Sequence, residues 1–171
     1  MDLSDLVPGL PDGWEKGEAV SQGRRYEDPP ASPDPARILV QGYQAGDEGH
    51  CYYSIPAGTP VADIVQFFEV GSHGAESYSY DEEATIALVA DKATALAKLV
   101  PAQVTFADAA GLKLRFLRQV TDDDLRAMEA LFPDEEDAMQ AGLEIYVSEW
   151  EGEGSLFEEV KRSNQFHFWW D

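Results

Sequence analysis

The chain has 171 residues, with 33 Asp or Glu against 12 Lys or Arg, for a formal charge of −21 at pH 7. A surface of that sign repels nucleic acid and anionic lipid and draws in basic proteins or cations, so direct nucleic-acid binding and membrane binding are excluded and a basic protein is the expected partner. The length suits one domain with a real core, and 8 Phe, 7 Tyr and 4 Trp are more aromatic side chains than a disordered acidic chain carries.

One cysteine, Cys51, leaves no disulfide framework and no thiolate zinc site. The first residues are acidic where a signal peptide is basic, and the longest strongly apolar run, ATIALVA, is far too short to span a bilayer. The expectation is a soluble cytoplasmic protein.

Residues 1–36 read as an irregular arm. Pro8, Pro11 and the four prolines from Pro29 to Pro35 block helix and central strand alike, and Trp14 and Tyr26 are the anchors that would pin this arm to a body at 37–171. RILVQGYQ and HCYYSIP then read as two strands of a hairpin over 37–56. A helix follows, with Thr59 as N-cap, Pro60 at the first helical position, Ile64, Phe67 and Phe68 on one face and Gly71 as stop. The polar stretch 71–84 reads as a loop, ATIALVA as a buried strand, and Asp91 as the cap of a short Ala-rich helix that Pro101 ends.

QVTFADAAGLKLRFLRQV splits at Gly111 into two strands, the second alternating Leu112, Leu114 and Phe116 with Lys113 and Arg115. Two acidic helices come next, then a strand in GLEIYVSEW. Ser155 and Glu158 form a capping box for another helix, and QFHFWW is a last strand with Phe166, Phe168 and Trp170 on one face and His167 and Trp169 on the other. Adjacent strands mixed with short helices predict an α+β single domain, a mostly antiparallel sheet of about five to seven strands packed by four or five short helices.

The charge is concentrated. From Thr121 to Glu159 there are 14 acids and one base, a net of −13, whereas residues 104–120 hold one acid and three bases. Asp122, Asp123 and Asp124 follow a capping Thr121, and Asp134, Glu135, Glu136 and Asp137 fill the first turn after Pro133. Carboxylates are favoured at both places by capping and by the helix dipole, which explains the placement of the two runs but not their number. Neither run has the alternating oxygen spacing of a calcium loop, and no residue pattern calls for a metal or cofactor.

Nucleotide-binding glycine motifs, a nucleophile elbow and a zinc-protease motif are absent from the sequence. His50 and Cys51 are neighbours in a predicted strand, which points their side chains to opposite faces. His73, with Glu76, Tyr78 and Tyr80 nearby, is the best acid or base candidate.

Two functional readings remain. In the first, the chain is a non-enzymatic acidic protein-binding domain, such as an inhibitor of the immunity or antitoxin type or a mimic of nucleic-acid charge. Its partner surface would comprise Asp122, Asp123, Asp124, Asp134, Glu135, Glu136, Asp137, Glu149, Trp150 and Trp169, aromatic rings beside carboxylates suiting a Lys or Arg rich partner. In the second, it is a small enzyme or ligand-binding domain with its site near His73. Five lysines against seven arginines within so acidic a chain would also suit work in high salt.

Overall fold

The computed structural model describes residues 9–25, 27–44, 47–143 and 155–170. Strands β1 (Glu15–Ala19), β2 (Arg37–Gly42), β3 (Cys51–Pro56), β4 (Ala102–Asp108), β5 (Gly111–Phe116) and β6 (Gln165–Trp169) form one sheet in the order β1-β3-β2-β4-β5-β6. Every neighbouring pair is antiparallel except β2 and β4, which run parallel through Gln41 and Gly42 opposite Phe106 and Ala107. The fold is therefore α+β with a mixed, mostly antiparallel sheet of six strands. The described residues also form α1 (Val61–Phe67), α2 (Ser72–Tyr78), α3 (Glu82–Leu99), α4 (Asp122–Ala130), α5 (Glu135–Ala138) and α6 (Leu156–Ser163). None of these helices is long and apolar enough to cross a membrane.

The pleat sorts the strand residues into two faces. Val40, Tyr53, Ile55, Leu112, Leu114, Phe166 and Phe168 are buried together with α1, α3 and α4, which contribute Ile64, Val89, Leu96, Leu125 and Met128 to the same core. On the opposite face the registers align Gln41, Phe106, Lys113 and His167 in one row across four strands. Gln41 donates to the Arg25 carbonyl and Gln165 to Asp28, so the segment after β1 crosses this second face.

Five sequence expectations change. Within the arm, Glu15–Ala19 forms edge strand β1 against β3, and Trp14 is buried against Phe67 at 4.8 Å between ring centroids. Helix α1 begins at Val61 with Pro60 at the cap position, and the Thr59 hydroxyl donates to the Pro56 carbonyl.

The polar stretch expected as a loop holds α2, which buries only Gly74 and Ala75. Residues that small leave no hydrophobic period to read.

ATIALVA is not a strand: it lies inside the 18-residue α3, capped by Asp81 with its carboxylate accepting from Ala84 N at 2.8 Å. A short apolar run cannot distinguish strand from helix by itself. Here the alanines spaced through 84–97 favour helix, and Thr85, Val89, Ala93 and Leu96 recur at helical spacing on the buried side. Asp91, expected as a cap, is exposed in mid-helix.

In the expected strand over 142–150, Gly142 and Leu143 instead close a π-helical turn, Met139–Leu143. The remainder of that stretch, including Glu149 and Trp150, lies outside the described residues.

Candidate functional site

The first acidic run is held by its own neighbours. Thr121 and Asp124 make a reciprocal capping box at the start of α4. Arg118 grips Asp124 with two bonds of 2.6 and 3.1 Å. Its guanidinium, followed by the Thr121 amide, holds the Asp124 carboxyl well below the usual carboxylate range. Asp122 pairs with Lys161 at 3.0 Å and Asp123 with Arg126 at 2.8 Å.

The second run behaves differently. Asp134 accepts the Glu136 amide at 2.9 Å, and among the described residues neither Asp134 nor Glu136 has a basic partner. Asp137 is half-buried on α5, and the Glu135 side chain is outside the described set.

Two long-range bonds fix where this run sits. Lys92 of α3 donates to the Leu131 carbonyl, and Gln140 donates to the Thr85 hydroxyl of α3 at 2.8 Å. Segment 131–140 therefore runs antiparallel along α3, across about 10 Å of its length between Thr85 and Lys92. That stretch of α3 is flanked by Asp81, Glu82 and Glu83 at its start and by Asp91, all exposed and without basic partners among the described residues. No pattern in the sequence joins these four acids, because Asp81, Glu82 and Glu83 fall in the stretch that reads as a loop and Asp91 at the expected cap of a separate helix. Trp169 stays apart, half-buried on β6, with its ring 5.4 Å from His167 and close to Gly111.

A second feature lies at the end of the sheet where β2 finishes, β3 begins and β4 turns into β5. There a cleft of about 900 Å³ is lined by residues that include Lys16, Tyr43, Glu48, His50, His73 and Asp108. His73 reaches it from α2, and its backbone amide is tied to the Ala109 carbonyl at 3.2 Å. Glu76, Tyr78 and Tyr80, its expected companions, are not among the lining residues.

In their place the cleft holds a His–Asp pair that the sequence did not announce. His50 Nε2 lies 3.0 Å from Asp108 Oδ2, and Asp108 Oδ1 accepts the Ala110 amide at 2.8 Å. The two residues are 58 positions apart, so only the β3-β2-β4 order brings them together.

Both residues line the cleft, yet Cys51 belongs to the core face with Tyr53 and Ile55 whereas His50 stacks on Phe106 of the opposite face, as the alternation predicts. The Cys51 thiol donates to the Gly49 carbonyl at 3.6 Å, and burial pushes its pKa up, which leaves it a poor nucleophile.

Lys16 is bonded to Asp47, and that bond raises the lysine. Burial pushes Asp47 up, but Lys16, the Gln44 amide and the Tyr53 hydroxyl outweigh it and hold the carboxyl below its ordinary range. Among the described residues no three His, Cys, Asp or Glu side chains converge as a metal site. In comparisons with protein-family models, curated proteins and solved structures, the chain matches none.

Proposed function

We propose that the chain is a non-enzymatic acidic binding domain that docks a basic protein partner, as an immunity protein, an antitoxin or a mimic of nucleic-acid charge does. The observation supporting this reading is that segment 131–140, with exposed Asp134 and Glu136, is held along α3, which itself carries exposed Asp81, Glu82, Glu83 and Asp91, none of the six paired with a base among the described residues. The first run, Asp122 to Asp124, has cations of its own and is not the centre of the docking surface.

Single exposed ion pairs contribute only about 0.2 to 1 kcal/mol, so such a strip acts mainly on encounter, where complementary fields lift association towards about 10⁸ to 10⁹ M⁻¹s⁻¹ at low salt. The test is charge reversal of Glu82, Glu83 and Glu136 to Lys in the full chain, against a basic protein retained from extracts of the native host. Association at low salt should slow by about tenfold or more and lose much of its salt dependence. An Asp122→Asn, Asp123→Asn double variant should stay within about twofold of wild type. Unchanged association in the triple reversal, or a partner indifferent to salt, overturns the reading.

A further inference from the structure

We propose that the cleft at the end of the sheet is a binding site for a small organic amine, whose N–H is accepted by His50 Nδ1 and whose charge faces Glu48 and the Tyr43 ring. The site is independent of the acidic strip along α3.

The imidazole of His50 is positioned before any ligand arrives. Its residue is 8% exposed, its ring is stacked on Phe106 at 5.5 Å and flanked by Tyr43 at 5.5 Å, and Nε2 is fixed on Asp108. In the tautomer whose Nε2–H donates to the Asp108 carboxylate, itself anchored by the Ala110 amide, Nδ1 is left as an acceptor. Nδ1 has no hydrogen-bond partner among the described residues, so the group that completes it is a donor.

Charge then selects among donors. Of the three carboxylates lining the cleft, Asp47 is occupied by Lys16 and Tyr53, and Asp108 by His50 and Ala110. Glu48 is exposed and has no partner among the described residues. An anion would meet Glu48 and the field of a chain carrying −21, whereas an ammonium is attracted by both. Tyr43, 38% exposed beside His50, offers a ring face to the same cation. The volume, about 900 Å³, falls within the usual range of small-ligand sites.

The probe is ethanolamine, with ethylene glycol as its uncharged counterpart and glycolate as its anionic one, titrated into the ¹⁵N-labelled full chain in 150 mM salt at neutral pH. Ethanolamine should move the His50 ring nitrogen resonances saturably, with the glycol and glycolate weaker by about tenfold or more. Glu48 is exposed, so Glu48→Gln tests the site without disturbing the core and should weaken ethanolamine by about tenfold. His50→Gln should abolish the saturable response at the neighbouring amides. The triple reversal of Glu82, Glu83 and Glu136 should leave the titration unchanged, which separates this site from the docking strip. His50 resonances that do not move, equal binding of glycol or glycolate, or full binding by Glu48→Gln would each overturn the proposal.

Discussion

Gln140 donates its side-chain amide to the hydroxyl of Thr85 at 2.8 Å while its own carbonyl accepts the Trp170 indole N–H at 3.0 Å. One residue thus joins α3 to the C-terminal strand and sets the second acidic run beside α3. Thr85 is fully buried, so removing its hydroxyl leaves the Gln140 amide short of a partner where water is scarce. Thr85→Val, close to isosteric, should lower unfolding free energy by about 1 to 3 kcal/mol, read as a shift in urea midpoint with unchanged slope. An unchanged midpoint would show that the bond contributes nothing to holding the segment in place.

Trp170 also packs directly over Gly74. A Cβ built at Gly74 would lie 1.9 Å from Trp170 Cδ1, a distance no real pair of carbons adopts, so α2 reaches the sheet only because this position has no side chain. Gly74→Ala should destabilise by about 1 to 3 kcal/mol through overpacking. Combining it with Trp170→Phe should cost less than the sum of the two single variants, because the smaller ring gives the new methyl room. Strict additivity in denaturant unfolding would refute the contact.

What the sequence disclosed and what it hid follow from where the information lies. The 37–56 hairpin, the alternation of Leu112, Leu114 and Phe116 with Lys113 and Arg115, and the capping box of Thr121 with Asp124 are local patterns, and all three are present. Helix α3 was misread because an apolar run of seven residues fits either state until its alanines are weighed. The two features behind the proposed binding surfaces are tertiary. The partnership of Gln140 with Thr85 and that of His50 with Asp108 depend on strand order and helix placement, and no spacing in the sequence encodes either. The abundance of acids at 121–137 drew attention to Asp122, Asp123 and Asp124, yet a count of charges says nothing of which carboxylates already have a cation beside them.

The first acidic run has its own signature in acid. Asp124 is held below the ordinary carboxylate range by Arg118 and by the Thr121 amide at 2.8 Å. A carboxyl whose folded pKa is depressed contributes stability that is present above its unfolded value, about 4, and is lost as pH falls through the folded value. Asp124→Asn should therefore cost about 1 kcal/mol at neutral pH, through loss of cap and pair. The gap to wild type should begin to narrow below about 4, where the unfolded chain takes up the proton, and close as pH falls through the depressed folded value. Denaturant midpoints at pH 7 and pH 2.5 measure this, and a gap independent of pH would refute it.

His167 titrates in a higher window. It stands opposite Lys113 across β5 and β6, its Nε2 is buried without a hydrogen-bond partner, and its ring contacts Trp169. Burial, reinforced by Lys113 and only partly opposed by Asp108, pushes its pKa down to about 4. The unfolded chain binds this proton near 6.5, so between about 6.5 and 4 the unfolded state holds a proton that the folded state does not. Stability should accordingly fall as pH falls through that window, by on the order of 3 kcal/mol at most, and level off below it as far as this group is concerned. His167→Phe removes the proton-binding site while keeping a ring beside Trp169, and its stability should be flat across the same window. The imidazole C2 proton of the folded wild-type chain, followed by NMR, should titrate with a midpoint near 4. A midpoint near 6.5 would mean that the ring exchanges with water in the folded state, and with it the slope in wild-type stability would disappear.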